Sequence, residues 1–257
     1  MSLPEQMTAL ARDAKTAALQ MPRLNTGEKN ACLCAMADAL EGNASIIHEA
    51  NAKDMETGRS MDLSQAMLDR LHLDEKRITD MAQGLRNVAE LPDPVGCVLD
   101  ERVRPSGLHL RKVTAPIGVV VMIYESRPNV TADAAGLCFK SGNVTILRGG
   151  KESINSNICL EGIIRDSLKK SNLPKNSIQL IKSTDRKVIN ELLTMDDYID
   201  FLIPRGGSEL VNKVAAESRI PTVVGGIGVC HTYIDKAADL KMANSIVLNA
   251  KTQRPSV

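Results

Sequence analysis

The sequence predicts an α/β protein in which a doubly wound parallel sheet follows a set of N-terminal helices and a β-hairpin. From residue 116 onward, short apolar runs alternate with helical stretches. Such a pattern is typical of parallel strands that are covered by helices on both faces. Before residue 91, apolar residues recur instead at helical spacing. With 257 residues, the chain is long enough for one large domain and part of a second.

Helices are predicted throughout residues 1–91 because apolar side chains recur there every three or four positions. The first three sets are Leu3, Met7, Leu10 and Ala14; Leu33, Met36, Ala37 and Leu40; and Ile46, Ile47 and Ala50. Thr26 is expected to cap the second helix and Gly42 to end it. A proline-rich break follows at 91–94. Residues 97–113 then predict an extended hairpin that turns at Ser106 and Gly107.

Five buried strands are predicted in a sheet that spans 116–224. The apolar runs that indicate them lie at 118–123, 144–147, 178–181, 199–203 and 222–224. Helical segments are expected between them, near 129–141, 152–171, 185–195 and 206–219. This order makes a Rossmann-like sheet, in which ligands bind at the carboxyl ends of the strands.

A new unit is predicted to begin at residue 229. Residues 230–234 are expected to form a strand and 239–251 a helix. We therefore divide the chain into a domain at 1–228 and the start of a second α/β domain at 229–257.

Composition excludes several classes of protein. The net charge of +1 and the low aromatic content of 2% give no basis for binding nucleic acid or a membrane surface. No secretory signal and no long apolar segment is apparent, so we expect a cytoplasmic protein. The six cysteines lack the paired spacing of a zinc site. We expect no metal and interpret the thiols as buried.

Two predicted strands end in nearly the same motif, an arginine and two glycines before a polar residue that opens a helix. The first is Arg148, Gly149, Gly150 and Lys151, and the second is Arg205, Gly206, Gly207 and Ser208. Glycines let backbone amides approach a ligand, and a helix N-terminus supplies partial positive charge. Together with the cationic side chains, this favours a phosphorylated ligand. The alternative is that both motifs are only tight turns.

Two common nucleotide-binding fingerprints are missing from the sequence. No G-x-G-x-x-G occurs, so the usual dinucleotide loop is absent. No Walker A motif occurs either, because Thr145 and Glu152 stand where it requires a glycine and a hydroxyl residue. Kinase and NTPase chemistry is therefore disfavoured.

A third polar motif follows the first strand of the sheet. It carries Ser126, Arg127, Asn129 and Thr131 around a proline at the start of a helix. These donors suit an oxyanion or a substrate carboxylate. Simple helix capping explains the same residues equally well.

The whole chain resembles the gamma-glutamyl phosphate reductases of the aldehyde dehydrogenase superfamily. Long motifs carry the resemblance, among them IYESRPNVT at 123–131, ILRGGKE at 146–152 and NAKTQRPS at 249–256. Further matching segments lie at 67–71, 93–96, 115–120, 140–143, 202–207 and 225–231. The resemblance implies an aldehyde dehydrogenase-like fold with an NADP-binding domain at 1–228 and the start of the catalytic domain at 229–257.

The resemblance also implies an activity, the NADPH-dependent reduction of gamma-glutamyl phosphate to glutamate 5-semialdehyde and phosphate in proline biosynthesis. A cysteine thiolate would displace phosphate to give a thioester, which hydride then reduces. The first arginine–glycine motif would bind the nucleotide and the second would lie beside its phosphates. Ser126, Arg127 and Asn129 would lie near the reacting carbonyl of the substrate.

The sequence departs from the superfamily pattern at two places. In the reductases the cysteine nucleophile follows the segment that here ends at Val257, so we expect no catalytic residue within the chain and no activity of these 257 residues alone. Hydrolytic aldehyde dehydrogenases carry a glutamate near the position of Val224, where it acts as a general base. The side chain of Val224 cannot act as a base. The neighbouring Cys230 and His231 would point to opposite faces of a strand, so Cys230 is expected in the core.

Two alternatives remain open. One is a catalytically inactive nucleotide-binding or assembly module, and the other is a hydrolytic aldehyde dehydrogenase, which the residue at 224 disfavours. The hairpin at 97–113 is a candidate surface for pairing two copies into a homo-oligomer.

Overall fold

The computed structural model describes residues 2–125, 127–225 and 229–253. The chain divides between Val224 and Gly225 into a large compact unit and a small one. The predicted combination of N-terminal helices, a β-hairpin and a parallel sheet is confirmed in the large unit.

Five helices precede the strands in the large unit. They are α1 (Leu3–Ala18), α2 (Thr26–Gly42), α3 (Ala44–Ser60), α4 (Gln65–Leu71) and α5 (Glu75–Glu90). The buried side chains of α2 are largely the predicted ones, including Leu33, Met36 and Leu40. Asn25 and not Thr26 caps this helix, because its side chain accepts a bond from the Glu28 amide while Glu28 returns one to the Asn25 amide.

The hairpin consists of strands β1 (Val98–Val103) and β2 (His109–Val113), which pair antiparallel. Gly107 lies in the turn with a φ of +81°, which glycine adopts at little cost. Every residue of the two strands is exposed except Asp100, which is half-buried. The hairpin therefore projects from the large unit with little burial of its own.

The parallel sheet has four strands in the order β5-β4-β3-β6. They are β3 (Val119–Tyr124), β4 (Val144–Arg148), β5 (Ile178–Leu180) and β6 (Phe201–Arg205). The connecting helices are α6 (Asn129–Lys140), α7 (Ile154–Lys170), α8 (Lys187–Leu192) and α9 (Ser208–Glu217), with α9 following β6.

The fifth predicted strand, at 222–224, is not formed. Thr222 makes only an isolated parallel bridge to Leu202. Val223 and Val224 are 56% and 42% exposed, so an extended ladder here would bury little apolar surface.

The small unit contains one described helix, α10 (Leu240–Thr252), which Asp239 caps through the amides of Lys241 and Met242. The strand predicted at 230–234 is wrong, because these residues pair with no described strand. A strand needs a ladder partner for its backbone groups, and the local sequence does not supply one. None of the described helices combines the length and apolarity needed to cross a membrane.

Candidate functional site

Three strand ends meet at the carboxyl edge of the sheet. Ile123 in β3 pairs with Arg148 in β4, and Tyr124 pairs with Arg205 in β6. The loops after these strands therefore start side by side, with the loop after β3 in the middle. A cleft of about 460 Å³ opens over this edge.

Charged and apolar residues both line the cleft. The charged residues are Glu125, Arg148, Lys151, Glu152, Arg186, Glu209 and Lys213. The apolar residues are Met61, Leu63, Met67, Ile189 and Leu210. An apolar wall beside convergent charges is the usual form of a small-molecule site.

Arg148 is the most deeply buried cation of the cleft, with 8% of its surface exposed. Its Nε is buried and has no hydrogen-bond partner among the described residues. Burial lowers the pKa of Arg148, and the carboxylate of Glu152 opposes that effect. The guanidinium stays charged, since arginine is not deprotonated in proteins. A buried donor without a partner is costly, which favours an anionic ligand at this position.

A buried side chain of the chain itself explains the first glycine of this motif. A Cβ at Gly149 would overlap the side-chain amide of Asn157. A Cβ at Gly150 would meet only the carboxylate of Glu152, the movable end of a half-buried side chain, so ligand access to the backbone stays a prediction for Gly150. Lys151 follows the two glycines on the exposed side of the loop.

The helix after the first motif does not offer free amides. Both carboxylate oxygens of Asp54 in α3 accept bonds from the first turn of α7, from Asn155 N at 3.1 Å and Ser156 N at 2.7 Å. Asp54 is only 1% exposed. The expectation that this helix N-terminus would hold a phosphate is wrong, because a buried carboxylate already occupies the anion position.

The second motif is open by comparison. Arg205, Gly206, Gly207 and Ser208 are all exposed, and α9 begins directly at Ser208. The amide of Gly207 donates to Oε2 of Glu125 at 3.0 Å. An exposed carboxylate on the loop after β3 thus holds the start of α9, where an anion is favoured.

The third motif is only partly available to a ligand. Ser126 lies outside the described residues, and Arg127 is half-buried. Asn129 begins α6, and its Nδ2 donates to Asp133 at 3.0 Å. Thr131 is fully buried and bonds to Tyr124 and Asn157, so the expectation that its hydroxyl faces a ligand is wrong.

The thiols divide into two groups. Cys32 and Cys138 are buried, and burial raises the pKa of each to about 11. Burial also raises the pKa of the half-buried Cys159. Cys34, Cys97 and Cys230 are exposed, so the expectation of uniformly buried thiols is wrong, and Cys230 is not a core residue. No cysteine is among the residues that line the cleft, and the described part of the chain brings together no three His, Cys, Asp or Glu residues that could hold a metal.

Sequence reasoning missed three residues that shape this edge of the sheet. Glu125 lies within the third motif, and its acidic side chain between two cationic loops was the available signal. The sequence carried no signal for Asp54 or Asn157. Asp54 bonds to a helix about a hundred positions further along the chain, and Asn157 lies inside a helical pattern.

Comparisons with known proteins agree with this architecture. The profile of the aldehyde dehydrogenase family matches residues 2–254. A gamma-glutamyl phosphate reductase of Clostridium novyi is 50% identical over the whole chain, which covers 62% of that protein.

Two solved structures of gamma-glutamyl phosphate reductases are also similar. That of the enzyme from Thermotoga maritima superimposes with a TM-score of 0.92 at 39% identity, over 98% of this chain and 61% of that one. That of the enzyme from Saccharomyces cerevisiae superimposes with a TM-score of 0.81 at 38% identity, over 98% and 63%. The chain thus spans about three fifths of the length of these relatives. By its sequence and its fold, it belongs to the aldehyde dehydrogenase family.

Proposed function

We propose that this chain is the cofactor-binding part of an NADPH-dependent enzyme that reduces gamma-glutamyl phosphate to glutamate 5-semialdehyde and phosphate in proline biosynthesis. The observation that carries the proposal is the charged cleft at the carboxyl edge of the sheet, lined by Arg148 with its buried, unpaired Nε. Members of the family use nicotinamide cofactors. The identity of the substrate is proposed from the names of the similar reductases.

The residues of the cleft fit a dinucleotide. Arg148, Gly149, Gly150 and Lys151 would hold the adenosine side, with the cations beside a 2′-phosphate. Arg205, Gly206, Gly207 and Ser208 would hold the pyrophosphate at the exposed start of α9. Arg127 and Asn129, just before and at the start of α6, would lie near the reacting carbonyl of the substrate, and the same role is proposed for Ser126, which lies outside the described residues.

The proposed reaction has two steps. A cysteine thiolate would attack the acyl phosphate; the carbon–sulfur bond would form and phosphate would leave. NADPH, which the two arginine–glycine motifs would hold, would supply a hydride for reduction of the thioester, whose carbon–sulfur bond would break to release the aldehyde and the thiolate. We assign the cofactor-binding role to 1–228 and the start of the catalytic domain to 229–257, in a cytoplasmic enzyme without a metal.

Titration of the chain with NADPH and with NADH tests the cofactor. We expect tighter binding of NADPH, because Lys151 is exposed at the cleft and can pair with the extra phosphate. Lys151→Ala should weaken NADPH binding by about tenfold, as for the loss of a charge-assisted hydrogen bond, and leave NADH binding unchanged. Lys170→Ala, at the far end of α7, serves as the control. Equal affinity of the wild type for both cofactors would contradict the NADP assignment.

An inactive nucleotide-binding or assembly module is the second candidate, and the absence of any cysteine among the lining residues of the cleft favours it for these residues alone. The reverse reaction decides between the two. With glutamate 5-semialdehyde, phosphate and NADP⁺, we expect the 257-residue chain to form no NADPH, and a chain extended by the relatives' catalytic segment to form it. Turnover by the 257 residues that is lost in Cys230→Ser would overturn this assignment of the nucleophile.

A further inference from the structure

We propose that four buried side chains, Tyr124, Thr131, Asn157 and Ser153, form a positioning relay that holds the loop of Gly149 and Gly150 at a fixed distance from the loop after β3. The relay deepens the proposed function, because its effect on ligand affinity presupposes that the cleft binds a dinucleotide.

The relay is continuous and fully buried. The hydroxyl of Tyr124 lies 2.7 Å from Oγ1 of Thr131, which donates to Oδ1 of Asn157 at 3.0 Å. Nδ2 of Asn157 donates to Oγ of Ser153 at 3.0 Å. Ser153 in turn donates to the carbonyl oxygen of Gly150 at 3.3 Å. All four side chains are 0% exposed.

The donors of the relay all point one way. Because Thr131 gives its proton to Asn157, the Tyr124 hydroxyl must donate to Thr131. Burial raises the pKa of Tyr124 far above its usual value, so this proton is retained. A chain of hydrogen bonds with a single direction strengthens each of its members in a low-dielectric interior. It ends at Gly150, within the loop that carries Arg148 and Lys151.

Both ends of the relay adjoin residues that line the cleft, Glu125 at one end and Gly150 at the other. Tyr124 is the last residue of β3 and directly precedes Glu125, and Thr131 lies in the first turn of α6, close to Arg127 and Asn129. At the other end, the Asn157 amide fills the space beside Gly149, and the amide of Ser153 also donates to the Gly150 carbonyl. Gly149 therefore leaves room for the relay, and Gly150 accepts it through its backbone carbonyl.

An apolar core would fill the same space without the cost of burying polar groups. The relay instead fixes the position of the loop, because hydrogen bonds hold it to within tenths of an ångström whereas apolar contacts are adaptable. We therefore expect its loss to affect ligand affinity more than stability.

The chain offers a matched pair of variants. Ser153→Ala and Ser177→Ala remove the same atom from side chains that are both 0% exposed. Only the first breaks hydrogen bonds, because Oγ of Ser177 has no partner in the described structure. We expect Ser153→Ala to weaken NADPH binding by about fivefold, as for one net hydrogen bond, and Ser177→Ala to leave it unchanged.

A second pair controls for general damage. Thr131→Val should weaken NADPH binding, whereas Thr131→Ser keeps both the donor and the acceptor and should restore it. Arg86→Ala removes the ion pairs of α5 with Asp38 and Glu41 in α2, away from the cleft. It should lower Tm without changing the affinity. Wild-type affinity in folded Ser153→Ala and Thr131→Val would overturn the relay.

Hydrogen exchange separates the relay from the proposed function. If the wild type binds no dinucleotide, the proposed function fails, but the relay still predicts faster amide exchange at 149–151 in Ser153→Ala than in Ser177→Ala. Equal exchange in these two variants would overturn the relay independently of any ligand.

Discussion

At the scale of single residues, Glu125 holds a position that the proposed function assigns to an anionic ligand. Its Oε2 accepts the amide of Gly207 at 3.0 Å, and its charge acts on Arg148 across the cleft. A pyrophosphate at the start of α9 would have to displace this carboxylate. Glu125 therefore competes with the ligand for the amide of Gly207 and for the charge of Arg148.

Glu125→Gln tests this competition, because it keeps an acceptor for Gly207 and removes the charge. We expect NADPH to bind several-fold more tightly, since one charge at a helix N-terminus contributes about 0.3–1 kcal/mol. Glu75→Gln, in the first turn of α5, provides the comparison in the same titration. Weaker binding by Glu125→Gln would instead show that the carboxylate contacts the ligand directly.

Cysteine reactivity provides a second test at this scale. With a pKa of about 11, Cys32 and Cys138 are thiolate to only about one part in a thousand at pH 8, and the thiolate is the reactive form. Alkylation of the native chain followed by mass spectrometry should therefore label Cys34, Cys97 and Cys230 first. Labelling of Cys32 and Cys138 should rise as the pH approaches 11. Early labelling of either would contradict their burial.

At the scale of elements, Asp54 couples α3 to the start of α7. Its removal leaves two backbone amides of a buried helix terminus without partners. We expect Asp54→Ala to lower the free energy of unfolding by about 2 kcal/mol, the upper range for a helix cap. Denaturant unfolding measures the change, and Asp74→Ala, which removes a single capping bond from α5, should cost less. Equal losses would show that the burial of Asp54 adds nothing.

The elements that depend on local pattern could be predicted from the sequence. The helical spacing of Leu33, Met36 and Leu40 located α2, and continuous apolar runs located β3 to β6. The predicted strands at 222–224 and 230–234 failed because a strand depends on a distant partner, which periodicity does not reveal. The choice of Asn25 over Thr26 as cap depended on Glu28, three residues further on.

The candidate site was predictable in location but not in its internal contacts. The rule that ligands bind at carboxyl strand ends selected the eight residues of the two arginine–glycine motifs, and four of them line one cleft: Arg148, Gly150, Lys151 and Gly207. Their roles remain predictions. What the sequence could not show is that Asp54 occupies the start of α7 and that Asn157 fills the space beside Gly149, since both contacts are made between separate elements.

At the scale of the whole molecule, the hairpin exposes several large apolar side chains. Leu99, Val103 and Leu108 are each more than half exposed, on a two-stranded sheet whose outer edges pair with no other described strand. Such edges favour pairing with another chain. We propose that the hairpin joins two copies into a homo-oligomer.

Sedimentation tests this proposal. Leu99→Lys combined with Leu110→Lys should shift the chain toward the monomer, because two charges would be buried in the contact. Leu19→Lys substitutes a leucine that is 72% exposed on the helical side and should leave the assembly unchanged. An unaltered sedimentation coefficient in the double variant would exclude the hairpin as the contact.

The central position of β3 also determines how the molecule comes apart. On one side of β3, the amide of Gly118 donates to the side chain of Asn143, 25 residues further along the chain. On the other side, the amide of Val119 donates to the side chain of Asp200, which is 81 residues away. Closing the longer loop costs more chain entropy. We therefore expect β6 to dock last during folding.

By the same argument, β6 is expected to detach first in partial opening of the native state. Native-state hydrogen exchange should show amides of β6 exchanging through a lower-energy opening than those of β4. Asp200→Asn should lower the energy of that opening more than that of β4, and equal protection of the two strands would contradict this order. The part of the cleft formed by β6 and α9 would then open many times while the part formed by β4, which carries Arg148, stays folded.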